Sequence, residues 1–196
     1  MAESRSRDLR DQCAEVALKL IGEVGVEGLS IREVARRLGV SHQAPYKHFA
    51  SSNHLLAEVV RRMYADFSAY LLSRPKGRNE AESMENLSIA YFEFAMRNPL
   101  HYRLMFGNPL PNPDQHPEMM SEARAAFTIL LDSIAAARGG KNVKLDQLDA
   151  LFVWSSLHGL STILRTCALD EIGLKQAVLS EALPHTLMRI GVALGI

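Results

Sequence analysis

Between Ser41 and His48 the chain reads SHQAPYKH, a run in which almost every side chain offers a hydrogen-bond donor, an acceptor or a small apolar surface. On a helix laid in the major groove of DNA, Gln43 would present both amide groups to an adenine edge. Ala44 and the Pro45 ring suit a thymine methyl, and Lys47 reaches guanine or phosphate. From Val34 to Ala57 there is no acidic residue, although acids and bases are equally frequent over the whole chain. A surface that faces phosphates needs that absence. Catalytic alternatives find little support: the sequence holds no H-E-x-x-H, no paired Glu-x-x-His, no Gly-rich phosphate loop and no nucleophile elbow. His42, His48 and His54 recur every six residues, which places them on different helix faces and argues against a shared metal site. No cofactor is implied.

The elements that must position this run belong to a chain of 196 residues, 47% of them apolar, which suffices for one or two domains with a real core. Formal net charge is zero, so an anionic partner must be met by a local patch. The N-terminal MAESRSRDLRDQC lacks the apolar stretch of a signal peptide, and no apolar run reaches the roughly 18 to 20 residues of a membrane span. A cytoplasmic protein that does not engage a membrane is the expectation. Cys13 and Cys167 form no C-x-x-C pair and read as buried free thiols.

Apolar residues recur at helical spacing in nearly every segment and strand-type alternation is missing, so the chain reads as all α, with about nine helices. A first helix is expected from about Arg7 to Val24, with Ala14, Ala17, Leu18 and Ile21 on its buried face. Ser30 and Glu33 have the spacing of a capping box for a second helix, whose stripe is Ile31, Val34, Ala35 and Leu38, stopped by Gly39. Ser41 then caps a short helix through about Phe49, giving a helix-turn-helix. Ser51 caps a further helix carrying Leu55, Leu56, Val59, Val60 and Met63.

The stretch GLSIREVARRLGVSHQAPYKHFASSNHLLAEVV resembles the DNA-binding domain of the TetR (tetracycline repressor) family, in apolar register, turn glycine, caps and the Tyr46 and Phe49 pair, over about residues 9 to 62. The form SHQAPYKHF, together with Trp154, His158 and Gly159 in VWSSLHGL, is similar to a subgroup whose C-terminal domain carries a Trp and then a His-Gly pair. The resemblance implies a helix-turn-helix DNA-binding domain over 1–62, with the start of a connecting helix, and a helical ligand-binding and dimerisation domain over 63–196. Ser41, Tyr46 and His48 then hold phosphates, and the DNA-contacting set comprises Ser30, Arg32, Ser41, His42, Gln43, Ala44, Pro45, Tyr46, Lys47 and His48. Where family members often place a lysine followed by an acid, this chain has Ser52 and Asn53, leaving helix N-terminal amides for that phosphate. Arg5, Arg7 and Arg10 suggest a basic arm.

After Tyr70 the polar SRPKGRN leads into a helix near Glu80 to Arg97, and Pro99 opens a short one. A Pro-rich loop precedes a helix that starts at Pro117 and runs to Gly139. The helix of about Leu145 to Leu169 mixes large residues with Ser155, Ser156, Gly159, Ser161 and Thr162, and the segment from about Lys175 to Leu194 is strongly apolar. Pro184 is expected to kink or split it. Small and apolar residues together suggest a helix-helix interface, and in the family the last two long helices form a four-helix dimer bundle. A homodimer also has a reason in the resemblance, because two recognition helices related by a twofold read both halves of a palindrome.

An effector cavity for a small apolar or aromatic ligand is the other implied property, its candidate wall being Tyr91, Phe94, Met105, Phe106, Phe127, Trp154, His158 and Thr162. Most of these suit an ordinary core better, and Trp154 and His158 suit either role. The expected function is a ligand-responsive repressor of a palindromic operator; the alternative is a helical ligand-sensing or protein-interaction module without DNA binding.

Overall fold

The computed structural model describes residues 2–107, 110–166 and 168–196, with the side chains of residues 2–8, 168 and 170 excepted. Cys167 lies outside the described residues, and the side chains of Arg5 and Arg7 lie outside them too. Among the described residues all regular structure is helical: α1 (Ala2–Val24), α2 (Ile31–Leu38), α3 (Ser52–Leu72), α4 (Glu80–Arg97), α5 (Pro99–Phe106), α6 (Pro117–Arg138), α7 (Val143–Ile163), α8 (Ala168–Ile172) and α9 (Gln176–Leu194). Short 3₁₀ turns occupy Pro45–Lys47 and Pro113–Gln115. The chain separates into two compact units, one of residues 1–65 with 100–123, the other of 66–99 with 124–196.

In the first unit the helical period of α1 buries Ala14, Ala17, Leu20 and Ile21 against Ile31, Val34 and Ala35 of α2, while Leu18 is only half-buried. Cys13 is fully buried beside them, and burial pushes its thiol above the usual value. Leu55, Leu56, Val59, Val60 and Met63 of α3 close the core with Phe49. The Tyr64 hydroxyl donates to the Met105 carbonyl at 2.6 Å, and burial pushes its pKa up to about 12.

α2 ends as its glycine requires. Gly39 sits at φ 66°, ψ 25°, its N–H bonds to the Arg36 carbonyl at 3.2 Å and that of Val40 to the Ala35 carbonyl at 3.1 Å. These paired bonds turn the chain through the left-handed region that favours glycine. The start of α2 differs from the expected capping box: Ser30 is its N-cap residue, yet its side chain makes no cap bond. The Glu33 carboxylate is drawn instead to two charged partners on its own helix, accepting from Arg36 at 2.8 and 2.7 Å and from Arg37 at 3.0 Å. A charge-assisted bidentate pair is stronger than a neutral reach-back to an amide.

The second unit is built around α4, α7 and α9, which pack on one another. Asn79 caps α4 by accepting from the Glu82 amide at 2.8 Å, and Asn142 caps α7 by accepting from that of Leu145 at 3.1 Å. Buried faces consist of Met84, Leu87, Tyr91 and Phe94 on α4, Ala150, Val153 and Leu157 on α7, and Ile190 and Leu194 on α9. α9 contains Pro184 but runs as one helix rather than two.

Candidate nucleic-acid interface

The segment after Gly39 forms no α-helix. Residues 42–44 make a turn, closed by the Ala44 N–H to the Ser41 carbonyl at 3.0 Å, and Pro45–Lys47 continue as a single 3₁₀ turn. Pro45 is the reason for the tight geometry, since it supplies no N–H and presets φ for a first helical position. Its ring is fully buried, so the expected contact between Pro45 and a thymine methyl does not hold: the proline anchors the turn from within. Ala44 and His48 are half-buried, and the half-buried Ser30 stands at the start of α2.

What the turn projects outward is a compact polar set. Arg32 from α2 and His42, Gln43 and Tyr46 from the turn line one open depression of about 420 Å³. Arg32, His42 and Gln43 are exposed, Tyr46 is 43% exposed, and Ser41 and Lys47 also face solvent. The three arginines of α2 are therefore not equivalent. Arg36 and Arg37 are held by Glu33, and Arg37 is bound a second time by Glu23 of α1 through bonds of 2.8 and 2.6 Å. Hydrogen bonds from Arg36 and then Arg37 pull the Glu33 carboxyl down to about 2, and both guanidinium groups are pushed above their ordinary value. Arg32 makes no ion pair among the described residues, so its fork stays available. The set expected from the sequence already held Arg32 and neither Arg36 nor Arg37; what the structure adds is the reason, since Glu33 and Glu23 hold the other two.

Behind this surface α3 begins at Ser52. The Ser51 hydroxyl is hydrogen-bonded to His54 Nδ1 at 2.9 Å and accepts from the His54 amide at 3.4 Å. Farther along, Glu58 is buried and takes bonds from Arg10 at 3.0 Å, Arg61 at 3.0 Å twice and Arg62 at 2.8 Å. Burial by itself raises this carboxyl, but the hydrogen bonds of Arg61 and Arg62 and the charges of Arg61 and Arg10 outweigh it, and the pKa falls to about 2. Arg10 thus ties α1 to α3 and is not a free basic arm. Its guanidinium also lies 5.9 Å from the Phe49 ring centre. The sequence signal for this clamp was present in the i, i+3 and i, i+4 spacing of Glu58, Arg61 and Arg62.

The candidate effector residues separate. In the second unit Trp154 Nε1 donates to the Tyr91 hydroxyl at 3.1 Å, that hydroxyl lies 3.4 Å from His158 Nδ1, and the Phe127 ring meets Trp154 at 5.8 Å between centres. Burial pushes the His158 pKa down. Phe94 belongs to the core, stacked near Phe67 and Tyr70, and Thr162 is exposed. Met105 and Phe106 belong to the first unit, where Met105 is fully buried and Phe106 packs on Tyr64 and Tyr102. Among the described residues no group of three or more His, Cys, Asp or Glu could hold a metal ion, and no helix is long and apolar enough to cross a membrane.

Helix α2, the glycine turn at Gly39 and the proline-anchored 3₁₀ turn beyond it stand in the order of a helix-turn-helix module, the second helix reduced to a single turn. The family of bacterial regulatory proteins, tetR family, matches residues 14–59, and the tetracyclin repressor-like C-terminal domain matches residues 84–186. The latter alone covers more than half of the chain, and the chain belongs to the tetR family of bacterial regulators. It is 28% identical over 153 residues to the HTH-type transcriptional regulator Rv1816 of Mycobacterium tuberculosis, a match that covers 72% of this chain and 64% of that protein. The chain thus spans less than two thirds of the length of that relative. A protein of unknown function from Rhodococcus sp. RHA1 superposes with a TM-score of 0.78 at 23% identity, over 94% of each chain. A transcriptional regulator from Rhodococcus gives 0.64 at 23% identity, over 95% of this chain and 96% of that one. Both likenesses concern the fold.

Proposed function

We propose that the chain is a cytoplasmic, non-enzymatic transcriptional regulator that binds a palindromic operator as a homodimer and is released from it by a small effector. The observation that carries the reading is the convergence of Arg32, His42, Gln43 and Tyr46 on one exposed depression, on a stretch of chain without a free acid. The only carboxylate on α2, that of Glu33, is consumed by Arg36 and Arg37. Gln43 reads adenine and Arg32 guanine, each through two hydrogen bonds. Ser41, Lys47 and His48 hold phosphates. DNA contact is assigned to residues 1–62, dimerisation and effector binding to 63–196.

Dimerisation is supported by apolar side chains on α7 and α9 that their own unit leaves exposed: Leu148, Leu151 and Phe152 on the one, Val178, Met188 and Val192 on the other, the last 68% exposed. For the effector site the support is the chain Trp154, Tyr91, His158. The indole is donor only, so the Tyr91 oxygen accepts from it and its own hydrogen is left for His158 Nδ1. A polar relay flanked by Phe127 suits an apolar or aromatic molecule with one polar group. Such a ligand represses binding by favouring the dimer state whose recognition turns no longer match successive grooves.

Selection of bound DNA from a random pool tests the reading. Enrichment of a palindrome, bound with a steep salt dependence and weakened by Arg32→Ala or Gln43→Ala, is the expected result. A pool that returns no consensus, or binding indifferent to salt, would favour a ligand-sensing module that does not use DNA.

A further inference from the structure

The first unit contains a contact between two histidines that the proposed DNA contact does not use. His54, in the first turn of α3, meets His116, the residue that precedes Pro117 at the start of α6, edge to face with ring centres 5.0 Å apart and planes at 88°. His116 is buried, and its Nε2 has no hydrogen-bond partner. Both rings line a cavity of about 250 Å³ that also takes in Phe49 and His48 next to the recognition turn.

The charged and titratable groups that line this cavity with His116 are Arg10 of α1, His48 of the turn, His54, Glu58 and Arg61 of α3, and Glu118 of α6. Glu58 is already engaged by Arg10, Arg61 and Arg62 and has little left to offer a further cation. Glu118 is the remaining acid. Against it stand two arginines, a neighbouring histidine and the positive end of a 22-residue helix. An imidazolium at position 116 is thus a buried cation among cations with an unsatisfied donor, and separating the contact relieves it.

We propose that the His54–His116 contact is a proton-operated latch: neutral, it holds the first turn of α3 to the start of α6; protonated, it opens and loosens the adjoining recognition turn. Burial first, and the charge of His54 second, push the His116 pKa below 6.5, which agrees with a closed state that excludes the proton. Since the closed state takes up the proton less readily than the open one, acidification from pH 7.5 to pH 5.5 multiplies the opening equilibrium by up to about tenfold, the limit for complete exclusion. Its effect on operator affinity rests on the DNA-binding reading. The direction is definite: opening the latch weakens operator binding as the pH falls.

Amide hydrogen exchange of residues 52–57 in the full chain, compared at both pH values with His116→Phe, tests the latch without DNA. Phenylalanine keeps the edge-to-face packing and removes the titration, and the comparison at each pH cancels intrinsic exchange chemistry. Wild type is expected to lose protection relative to the variant on acidification, by no more than about tenfold, and Glu118→Gln to come closer to that limit than wild type. Equal protection ratios at both pH values would overturn the latch. With the selected operator, affinity relative to His116→Phe should fall in parallel; an unchanged ratio would overturn the link to DNA while leaving the latch standing. Absence of DNA binding at every pH would instead sink the functional reading, with the exchange result still decisive for the latch.

Discussion

Replacing Glu58 by glutamine keeps the shape of the side chain and removes the charge on which Arg10, Arg61 and Arg62 converge. At neutral pH this leaves three guanidinium groups around a half-competent acceptor, and breaking such a buried ionic cluster costs about 3 kcal/mol. The pH dependence is more specific. The carboxyl titrates at about 2 in the folded chain against an ordinary 4.5, so its stabilisation is complete above 4.5 and is lost as pH falls from there toward 2. Taking those two values, the wild-type chain loses about 2 kcal/mol through this group between pH 7 and pH 3, and the variant has nothing to lose there. Urea unfolding followed by circular dichroism at the two pH values, on wild type and Glu58→Gln, measures the difference directly. A deficit near 3 kcal/mol that shrinks to about 1 kcal/mol at pH 3 is expected. An equal deficit at both pH values would refute the argument, because it would mean that Glu58 stabilises by packing and not by charge.

Three further outcomes follow from the same geometry. Gly39→Ala adds a Cβ that meets no atom within 4 Å, so the cost is purely the left-handed backbone, about 1 to 2 kcal/mol by urea unfolding, and Gly39→Asn should cost less. Operator titration by fluorescence anisotropy should show Arg32→Ala weakening binding roughly tenfold or more, whereas Arg36→Ala, whose guanidinium is committed to Glu33, changes it much less. Leu151→Glu combined with Phe152→Glu, both on the exposed face of α7, should shift sedimentation from dimer to monomer and leave the helical content unchanged.

Much of the architecture was legible because helical period and local punctuation act over a few residues. α4 begins one residue after Asn79 and α6 begins at Pro117, as capping and first-position rules predict. The recognition segment misled those rules: Ser41 has the chemistry of a cap, but the buried Pro45 ring pulls the chain into a 3₁₀ turn. Ser30 failed similarly, since the Glu33 carboxylate is taken up by Arg36 and Arg37 and the serine side chain itself makes no cap bond. In the effector region residue type alone could not divide Tyr91, Trp154 and His158, which meet, from Met105 and Phe106, which fold with the other unit.

Local order in the chain determined the all-helical character, the glycine turn and the acid-free stretch around Gln43, for each depends only on neighbours in sequence. Which arginine of α2 remains unpaired, where Glu58 finds its third partner in Arg10 and how His116 comes to face His54 were decided by tertiary structure alone. Those partners are separated by up to 62 positions, between His54 and His116. Pairing of charges and burial of an imidazole are properties of what packs nearby, and no pattern of spacing encodes them.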